Sequence, residues 1–285
     1  MENLLDLHSH SSFSPDAKDG AELMCERAKE LGLFAYALTD HCDCNFWLPA
    51  DEWERENARA LTVDREMYGV RDYARASIKT VSALKEKYPF LLCGIELGQP
   101  LQNPAAAAEI CAMRELDLII GSHHMNAGRD DFYWLDYGSM DIGEIYALMS
   151  DYFTQICEMC TRADFDVLGH LTYPLRYITG ECGIELDMSR FYEQIREIFR
   201  RLIGRGKGIE INTSGLRQRY GRLLPDREYV KMYRECGGEI LTLGSDAHCA
   251  ADIAKGIDEG AELARECGFK YTAYFERREA RFMSL

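Results

Sequence analysis

Imidazole and carboxylate side chains recur at similar positions along this 285-residue chain. Each of the seven histidines comes shortly after an apolar, strand-like run: His8, His10, His41, His123, His124, His170 and His248. One histidine in that position is usually structural, but seven in the same local context are hard to reach by chance. Carboxylates occur in the same kind of position, at Asp40, Glu96 and Asp246. Imidazole nitrogens and carboxylate oxygens bind Zn, Mn and Fe, so these residue types predict a metal site.

The spacing of two pairs indicates how the side chains converge. His8 and His10 are two residues apart, as are Asp246 and His248, and residues i and i+2 of a strand point to the same side. These pairs and Glu96, together with three more histidines, offer more donors than one ion can use: His41, His124 and His170. We therefore expect two or three divalent ions, with a carboxylate such as Glu96 as a bridge. A single ion is the simpler alternative.

A site with two or three divalent ions suits the hydrolysis of phosphate esters. Such ions make hydroxide available at neutral pH and neutralise charge on a phosphoryl group during in-line displacement. They also resolve a conflict, because 33 basic and 48 acidic residues give the chain a net charge of −15, which repels phosphate. Local metal charge can reverse the sign of the potential in the pocket. The acidic balance argues against nucleic acid or an anionic membrane as a partner.

Seven short apolar runs predict the strands that position these residues. They are rich in Leu, Ile and Val and alternate little, as expected for parallel strands covered on both faces. The runs are 3–7, 34–39, 91–95, 118–121, 167–169, 208–211 and 239–243. Helical patterns lie between them at 21–31, 105–116, 142–162, 190–205, 227–236 and 252–267, and a longer insertion, 51–88, follows the second run and includes the helical pattern RDYARASIKTVSALKEKY. This alternation predicts a closed or nearly closed parallel α/β barrel, in which the residues after each strand gather at one mouth.

An open, doubly wound sheet is the main alternative to a barrel. No G-x-G-x-x-G sequence follows any of the apolar runs, so a dinucleotide-binding sheet lacks its usual support. No linker or internal repeat divides the chain, which predicts one domain. The stretches 43–64 and 127–138 are predicted to be long loops over one face.

The cysteines and the N-terminus indicate a reducing compartment. The 11 cysteines are odd in number and follow no framework spacing, so we expect reduced thiols rather than disulfides. The one C-x-x-C, from Cys157 to Cys160, has no second pair to complete a zinc site. The N-terminus lacks a basic, apolar signal stretch, and no run of about 18 apolar residues could span a membrane. We therefore expect a cytoplasmic protein.

Six ordered motifs carry a family resemblance. HSHSSFSPD, LTDHCD, GIELG, IIGSHH, VLGHLTYP and LTLGSDAH resemble the motifs of the polymerase-and-histidinol-phosphatase (PHP) family. The segment EINTSGLR, followed by CGGEILTLGSDAH, looks like the histidinol-phosphate phosphatase branch of that family. The resemblance implies a distorted TIM-like (β/α)7 barrel with a trinuclear metal site, as a single PHP-type phosphatase domain over residues 1–285.

The resemblance also implies a set of ligands for three ions, which are Zn, Mn or Fe. The first ion is assigned His8, His10, Glu96 and Asp246; the second, Glu96, His124 and His170; the third, Asp16, His41 and His248. The family pattern G-S-x-H selects His124 rather than His123, although His123 is also available. We interpret Asp40 as a residue that orients a ligand imidazole.

Substrate contacts are predicted from the same branch. Arg176 and Arg217 resemble phosphate-contacting arginines, with pairing to surface carboxylates as the alternative. Asn212 and Ser214 could bind substrate or only shape the turn. The chain departs from the branch pattern after His170, where LTYP lacks the acidic residue that often follows. The implied reaction converts L-histidinol phosphate and water to L-histidinol and phosphate, through attack by a metal-bridging hydroxide.

Several roles stay open at this point. Asp246 and His248 are candidate catalytic residues for proton transfer, although we rank both as metal ligands first. Loop carboxylates could attract a cationic substrate or simply form a solvated face: Asp130, Asp131 and Asp136. A PHP-type phosphoesterase acting on a nucleotide or another small phosphate ester is the alternative function. A non-catalytic metal-binding domain is a further one, disfavoured because nine plausible ligands remain.

Overall fold

A computed structural model describes residues 4–45, 62–63, 66–67 and 70–285. Seven strands form one parallel sheet, and all seven predicted runs contribute to it. In spatial order they are β1 (Leu5–Asp6), β2 (Ala35–Leu38), β6 (Leu91–Gly98), β7 (Leu118–Ser122), β8 (Val167–Leu168), β9 (Gly208–Asn212) and β10 (Leu241–Gly244). The short strand β3 (His41–Asp43) continues beyond β2 and also pairs with β6. The short strands β4 (Thr62–Val63) and β5 (Glu66–Met67) pair with each other in a separate two-stranded antiparallel sheet.

The first and last strands meet, so the sheet is nearly closed into a barrel. Leu7 N donates to the carbonyl of Leu243 at 2.9 Å, and Asp246 N donates to the carbonyl of His8 at 2.7 Å. A parallel bridge between Ser9 and Ala247 extends this contact. The prediction of a distorted, single-domain (β/α)7 barrel is confirmed, and the open-sheet alternative is wrong.

Helices cover the outside of the barrel and bury one apolar face each. They are α1 (Ala21–Glu30), α2 (Val70–Leu84), α3 (Pro104–Cys111), α4 (Ile142–Arg162), α5 (Tyr192–Gly204), α6 (Arg227–Glu235) and α7 (Ile257–Glu266). On α5 the buried residues are Ile195, Ile198, Phe199 and Leu202, the spacing of a helix with one face on a core. Asp141 and Glu144 form a capping box at the start of α4, which fixes where that helix begins.

A C-terminal hairpin closes the end of the barrel away from the metal-site motifs. Its strands are β11 (Tyr271–Glu276) and β12 (Glu279–Ser284). Ala273, Phe275 and Met283 join a buried cluster with inward residues of the barrel strands, among them Leu5 and Leu92. The apolar runs did not predict this hairpin, because both strands contain exposed and charged residues that interrupt an apolar run.

The predicted loops are partly resolved into local structure. Most of the 43–64 stretch lies outside the described residues, as does the first part of the 51–88 insertion, whose second part forms α2. The 127–138 loop contains two short 3-10 turns, Phe132–Trp134 and the start of Tyr137–Ser139. All 11 cysteines lie in the described part of the chain, and none forms a disulfide. No helix among the described residues is long and apolar enough to cross a membrane.

Candidate metal centre

The predicted donors converge at the mouth of the barrel, where the parallel strands end. Glu96 lies near the end of β6, on the side of the strand to which Leu92 belongs, because residues four apart in a strand share a face. The strands approach closely here: a Cβ at Gly244 would lie 2.4 Å from the Cβ of His8 and 2.2 Å from a Glu210 oxygen. Glycine at that position therefore leaves room for the donors.

The first group of donors combines two histidines and two carboxylates. His8 Nε2 lies 3.5 Å from Glu96 Oε2 and 3.7 Å from Asp246 Oδ1, and His10 Nε2 lies 3.6 Å and 3.2 Å from the same two oxygens. Donors about 2.0–2.1 Å from one tetrahedral ion lie about 3.3–3.4 Å from one another. The four nitrogen–oxygen distances are close to that spacing, and His8, His10 and Asp246 form one group of donors that could hold an ion.

The second group uses the other oxygen of Glu96. Its Oε1 lies 3.1 Å from His124 Nε2 and 2.7 Å from His170 Nε2, and the two imidazole nitrogens are 3.4 Å apart. All three residues are buried. Oε1 faces this group and Oε2 faces the first one, so the carboxylate lies between the two groups.

The third group lies at the solvent side of the mouth. Asp16 Oδ2 is 3.5 Å from His41 Nε2 and 3.2 Å from His248 Nε2. The ring of His10 packs 4.2 Å from that of His41 and 4.3 Å from that of His248, centroid to centroid. Asp16 is 45% exposed, so this group is the most accessible of the three.

The donor atoms at the base of the mouth are buried close to one another. Among the described residues, His8 Nε2 has no hydrogen-bond partner, and a buried polar atom left unpaired costs roughly 1–3 kcal/mol. His10 Nε2 lies 3.2 Å from Asp246 Oδ1, and Glu96 Oε2 lies 2.8 Å from His41 Nδ1. A cation shared by these nitrogens and oxygens would satisfy them together. The donor set therefore fits divalent metal ions.

The charges within the site are strongly coupled. Burial disfavours ionisation of Glu96, but the imidazoles of His124 and His8 outweigh it and hold the pKa of the carboxyl well below its usual range. Burial likewise lowers the pKa of the His10 imidazole to about 3, helped by His41 and His248. The carboxylates are thus ionised and His10 is neutral, which are the protonation states that bind metal ions.

Two carboxylates contact imidazoles of the donor groups from behind, and sequence reasoning did not assign these carboxylates a role. Glu210 Oε1 lies 2.7 Å from His8 Nδ1, and Asp43 Oδ1 lies 2.9 Å from His124 Nδ1. Each bond turns the Nε2 of its histidine toward Glu96. The available signals were a lone charge inside the apolar β9 run for Glu210 and the i, i+2 spacing from His41 for Asp43.

Asp40 acts on the site less directly than expected. Its carboxylate accepts hydrogen bonds from the hydroxyls of Ser11, Ser14 and Ser77 and from Ser11 N. Ser14 Oγ in turn lies 3.3 Å from His10 Nδ1. Asp40 therefore holds the loop after β1 in place and reaches an imidazole only through Ser14.

Four other sequence-predicted residues lie around the donors rather than among them. His123 turns toward Asn126 Oδ1 at 3.2 Å and is absent from every donor group of the described residues. Arg217 donates to the carbonyls of Ser245 and Asp246 and does not line the cavity. Asn212 Oδ1 accepts hydrogen bonds from the amide and hydroxyl of Ser214, which favours the turn-shaping alternative for both. The hydrogen bonds between Asn212 and Ser214 stabilise the turn after β9, so these polar groups are already paired with each other.

A cavity of about 440 Å³ opens above the donors. Of the two predicted arginines only Arg176 lines it. One of its nitrogens donates to Ser214 Oγ at 2.6 Å and lies 3.3 Å from Asp246 Oδ2. Its Nε is buried without a hydrogen-bond partner in the described part of the chain. The guanidinium therefore lies in the cavity wall beside the donor groups.

Comparison with known proteins gives a consistent family. The sequence profile of the PHP domain matches residues 6–214. A Thermotoga maritima protein named "probable histidinol-phosphatase" is 28% identical over 270 residues, 95% of each chain. The histidinol-phosphatase of Lactococcus lactis subsp. lactis is 24% identical over 283 residues, 95% of this chain and 94% of that one.

A solved structure shares the fold over almost the whole chain. The crystal structure of histidinol phosphate phosphatase from Lactococcus lactis subsp. lactis, in complex with zinc, L-histidinol and phosphate, superposes with a TM-score of 0.73. It covers 97% of this chain and 98% of that chain at 21% identity. This likeness shows that the same barrel is present.

Proposed function

We propose that this chain, which belongs to the PHP domain family of metal-dependent phosphoesterases, hydrolyses L-histidinol phosphate to L-histidinol and phosphate. The observation that carries the proposal is Glu96, whose two oxygens face two different donor groups at the base of one cavity. The histidinol-phosphatase relatives that align over about 95% of the chain support this choice of substrate.

The metal centre would be held by the nine predicted ligands, with Glu96 as the shared one: His8, His10, Asp16, His41, His124, His170, Asp246, His248 and Glu96 itself. Divalent cations at such a centre supply a nucleophile at neutral pH and neutralise charge on a phosphoryl group. Zn, Mn and Fe all accept this imidazole and carboxylate set. Asp246 and His248 lie beyond residue 214, so the working phosphatase domain extends past the matched profile, and we propose that it is the whole chain.

The chain's own residues would bind and orient the phosphate ester. Arg176 would bind a phosphoryl oxygen with its guanidinium, which lines the cavity and is anchored by its contacts with Ser214 and Asp246. The pKa of Asp246 is held well below its usual range despite burial, by His8 and His10, so this residue stays an anionic ligand. His248, 31% exposed beside Asp16, would likewise serve first as a ligand, and proton transfer by either residue stays a prediction.

The test is a comparison of substrates on protein loaded with Zn, Mn or Fe. We expect kcat/KM for L-histidinol phosphate to exceed that for nucleoside monophosphates and glycerol phosphate by at least tenfold. The His10→Ala variant should lose the activity together with bound metal, measured by elemental analysis. A preference for a nucleotide, the alternative function, would refute the proposed substrate. Full activity of His10→Ala would refute the proposed centre.

A further inference from the structure

One wall of the cavity is aromatic and makes no contribution to the donor groups. It consists of Tyr133, Trp134, Tyr173 and Tyr177. The rings pack edge to face, with centroids 4.4 Å apart for Tyr133 and Trp134, 5.6 Å for Tyr133 and Tyr177, and 5.3 Å for Tyr173 and Tyr177. Trp134 is 40% exposed and Tyr133 57% exposed. Large aromatic side chains exposed together beside a cavity indicate a contact surface for a ligand.

A buried carboxylate lies at the base of this wall. Asp131 lines the cavity and is only 7% exposed. Its Oδ1 accepts hydrogen bonds from Tyr133 N at 2.8 Å and from the hydroxyl of Tyr173 at 3.1 Å. Within the described residues Asp131 forms no ion pair, and both hydrogen bonds use Oδ1, so Oδ2 is left to accept from a ligand. A buried carboxylate without a cationic partner is costly to keep and is well suited to bind a cation.

The other acidic residues of the same loop are used differently. Asp136 Oδ1 accepts from Gly138 N at 3.2 Å and caps a short turn at the exposed surface. Neither Asp130 nor Asp136 lines the cavity. Of the three carboxylates that could attract a cationic substrate, only Asp131 faces the site.

Tyr173 connects this wall to the metal centre. Its ring centroid lies 5.1 Å from those of His124 and His170, and its hydroxyl reaches Asp131. The guanidinium carbon of Arg176 lies 5.1 Å from the same ring. A phosphate ester with its phosphoryl end at the donors and Arg176 would therefore extend along Tyr173 toward Asp131, and its leaving group would lie on the aromatic wall.

We infer that Asp131, Trp134 and Tyr177 form a leaving-group subsite that selects a planar cation, with the imidazolium ring as the representative group. A flat ring stacks on the aromatic side chains, and a ring N–H donates to Asp131 Oδ2. An anionic leaving group would meet a buried carboxylate and is excluded. This inference rests on the proposed function, because it assumes that the phosphoryl end lies at the metal centre.

The test measures product binding, which does not depend on turnover. L-histidinol and L-phenylalaninol carry the same amino alcohol and differ in the ring, so titration calorimetry on metal-loaded protein at pH 6.5 isolates the imidazolium. We expect wild type to bind L-histidinol at least tenfold more tightly. Asp131→Asn keeps the turn-capping oxygen and should reduce this preference by about 10- to 100-fold, to equal affinity or below. Asp130→Asn, the neighbouring carboxylate, should retain it.

A second variant covers the ring contact and the case of misfolding. Trp134→Leu changes an exposed residue at the rim of the cavity. It should weaken the binding of both amino alcohols by about 2- to 30-fold, because Trp134 can stack on either ring. If Asp131→Asn lost affinity for L-histidinol and L-phenylalaninol equally, or if wild type bound both equally well, the proposed subsite would be refuted and the proposed function would be unaffected. An Asp131-dependent preference for L-histidinol in a protein that fails to hydrolyse L-histidinol phosphate would refute the proposed function and support the subsite.

Discussion

Replacing Asp131 by Asn should stabilise the protein near neutral pH. Burial raises the pKa of this carboxyl from its usual 3.8 to about 6, against the opposing charge of His124. A carboxyl group whose pKa is higher in the folded than in the unfolded state keeps its proton more readily in the folded state. The folded state is therefore destabilised progressively as the pH rises from 3.8 to about 6, the penalty is complete above pH 6, and it disappears below pH 3.8. At about 1.4 kcal/mol per pKa unit, the full penalty is about 3 kcal/mol.

The pH dependence distinguishes this cause from any other effect of the substitution. The difference in free energy of unfolding between Asp131→Asn and wild type should be about 3 kcal/mol at pH 7.5, about 1.6 kcal/mol at pH 5 and about 0.5 kcal/mol at pH 4. Urea unfolding of metal-free protein at these three pH values measures it, because the other titrating groups cancel between the two proteins. Asp130→Asn should differ from wild type by less than about 0.5 kcal/mol throughout. In metal-loaded protein we expect a smaller gain, since cations near His124 favour the ionised carboxyl. A gain that is the same at pH 4 and pH 7.5, or a loss at pH 7.5, would refute the burial argument.

Three further predictions concern the metal centre and the arginines. Arg176→Ala should lower kcat/KM for a phosphomonoester by about 100-fold or more. Arg217→Ala should mainly lower the free energy of unfolding, by about 1–3 kcal/mol. Steady-state kinetics and urea unfolding of both variants measure these effects, and the reverse pattern would contradict the two roles. Glu210→Gln should weaken metal binding by about 10- to 100-fold in a competition with a chelator, and Glu197→Gln on the exposed face of α5 should not; equal affinities would show that the bond to the imidazole has no positioning role. Burial disfavours the charged form of His124, but Glu96 and Asp43 outweigh it and raise its pKa to about 10, so the metal-free imidazole is protonated at pH 7.5. Metal binding should therefore release protons and strengthen as the pH rises, which calorimetry in two buffers of different ionisation enthalpy measures; an enthalpy independent of the buffer would contradict it.

The strands and most donors could be predicted from sequence because one local rule places both. A parallel strand buried on both faces is a continuous apolar run, and the residue that follows it lies at the mouth. His170 needed no more than this rule to be selected. Asp16 did not follow from it, since several loop residues separate it from β1, and only the family resemblance selected it.

The residues to which sequence reasoning gave no role, a wrong role or an undecided role depend on side-chain direction. Glu210 lies within β9. A charged residue inside a predicted strand indicates either that the strand assignment is wrong or that the charge has a buried partner, and the folded structure identifies that partner as His8. Arg217 follows a turn whose direction is set by the hydrogen bonds of Asn212. Such bonds decide whether a guanidinium faces the cavity or the backbone, and no periodicity in the sequence encodes them. In the sequence Asp131 cannot be distinguished from Asp130 and Asp136, and only the folded structure shows that it is buried and lines the cavity.

The charge of the chain links metal binding to substrate binding. Without metal ions the mouth contains ionised Glu96 and Asp246, in a protein of net charge −15. Protons on histidines such as His8, whose pKa is raised by Glu210 and Glu96 despite burial, offset only part of this charge. Divalent cations that displace those protons add more positive charge than they remove, so the potential at Arg176 becomes favourable for a phosphoryl group only in the loaded site. Phosphate affinity should therefore rise with metal occupancy, and by reciprocity phosphate should tighten metal binding by the same factor.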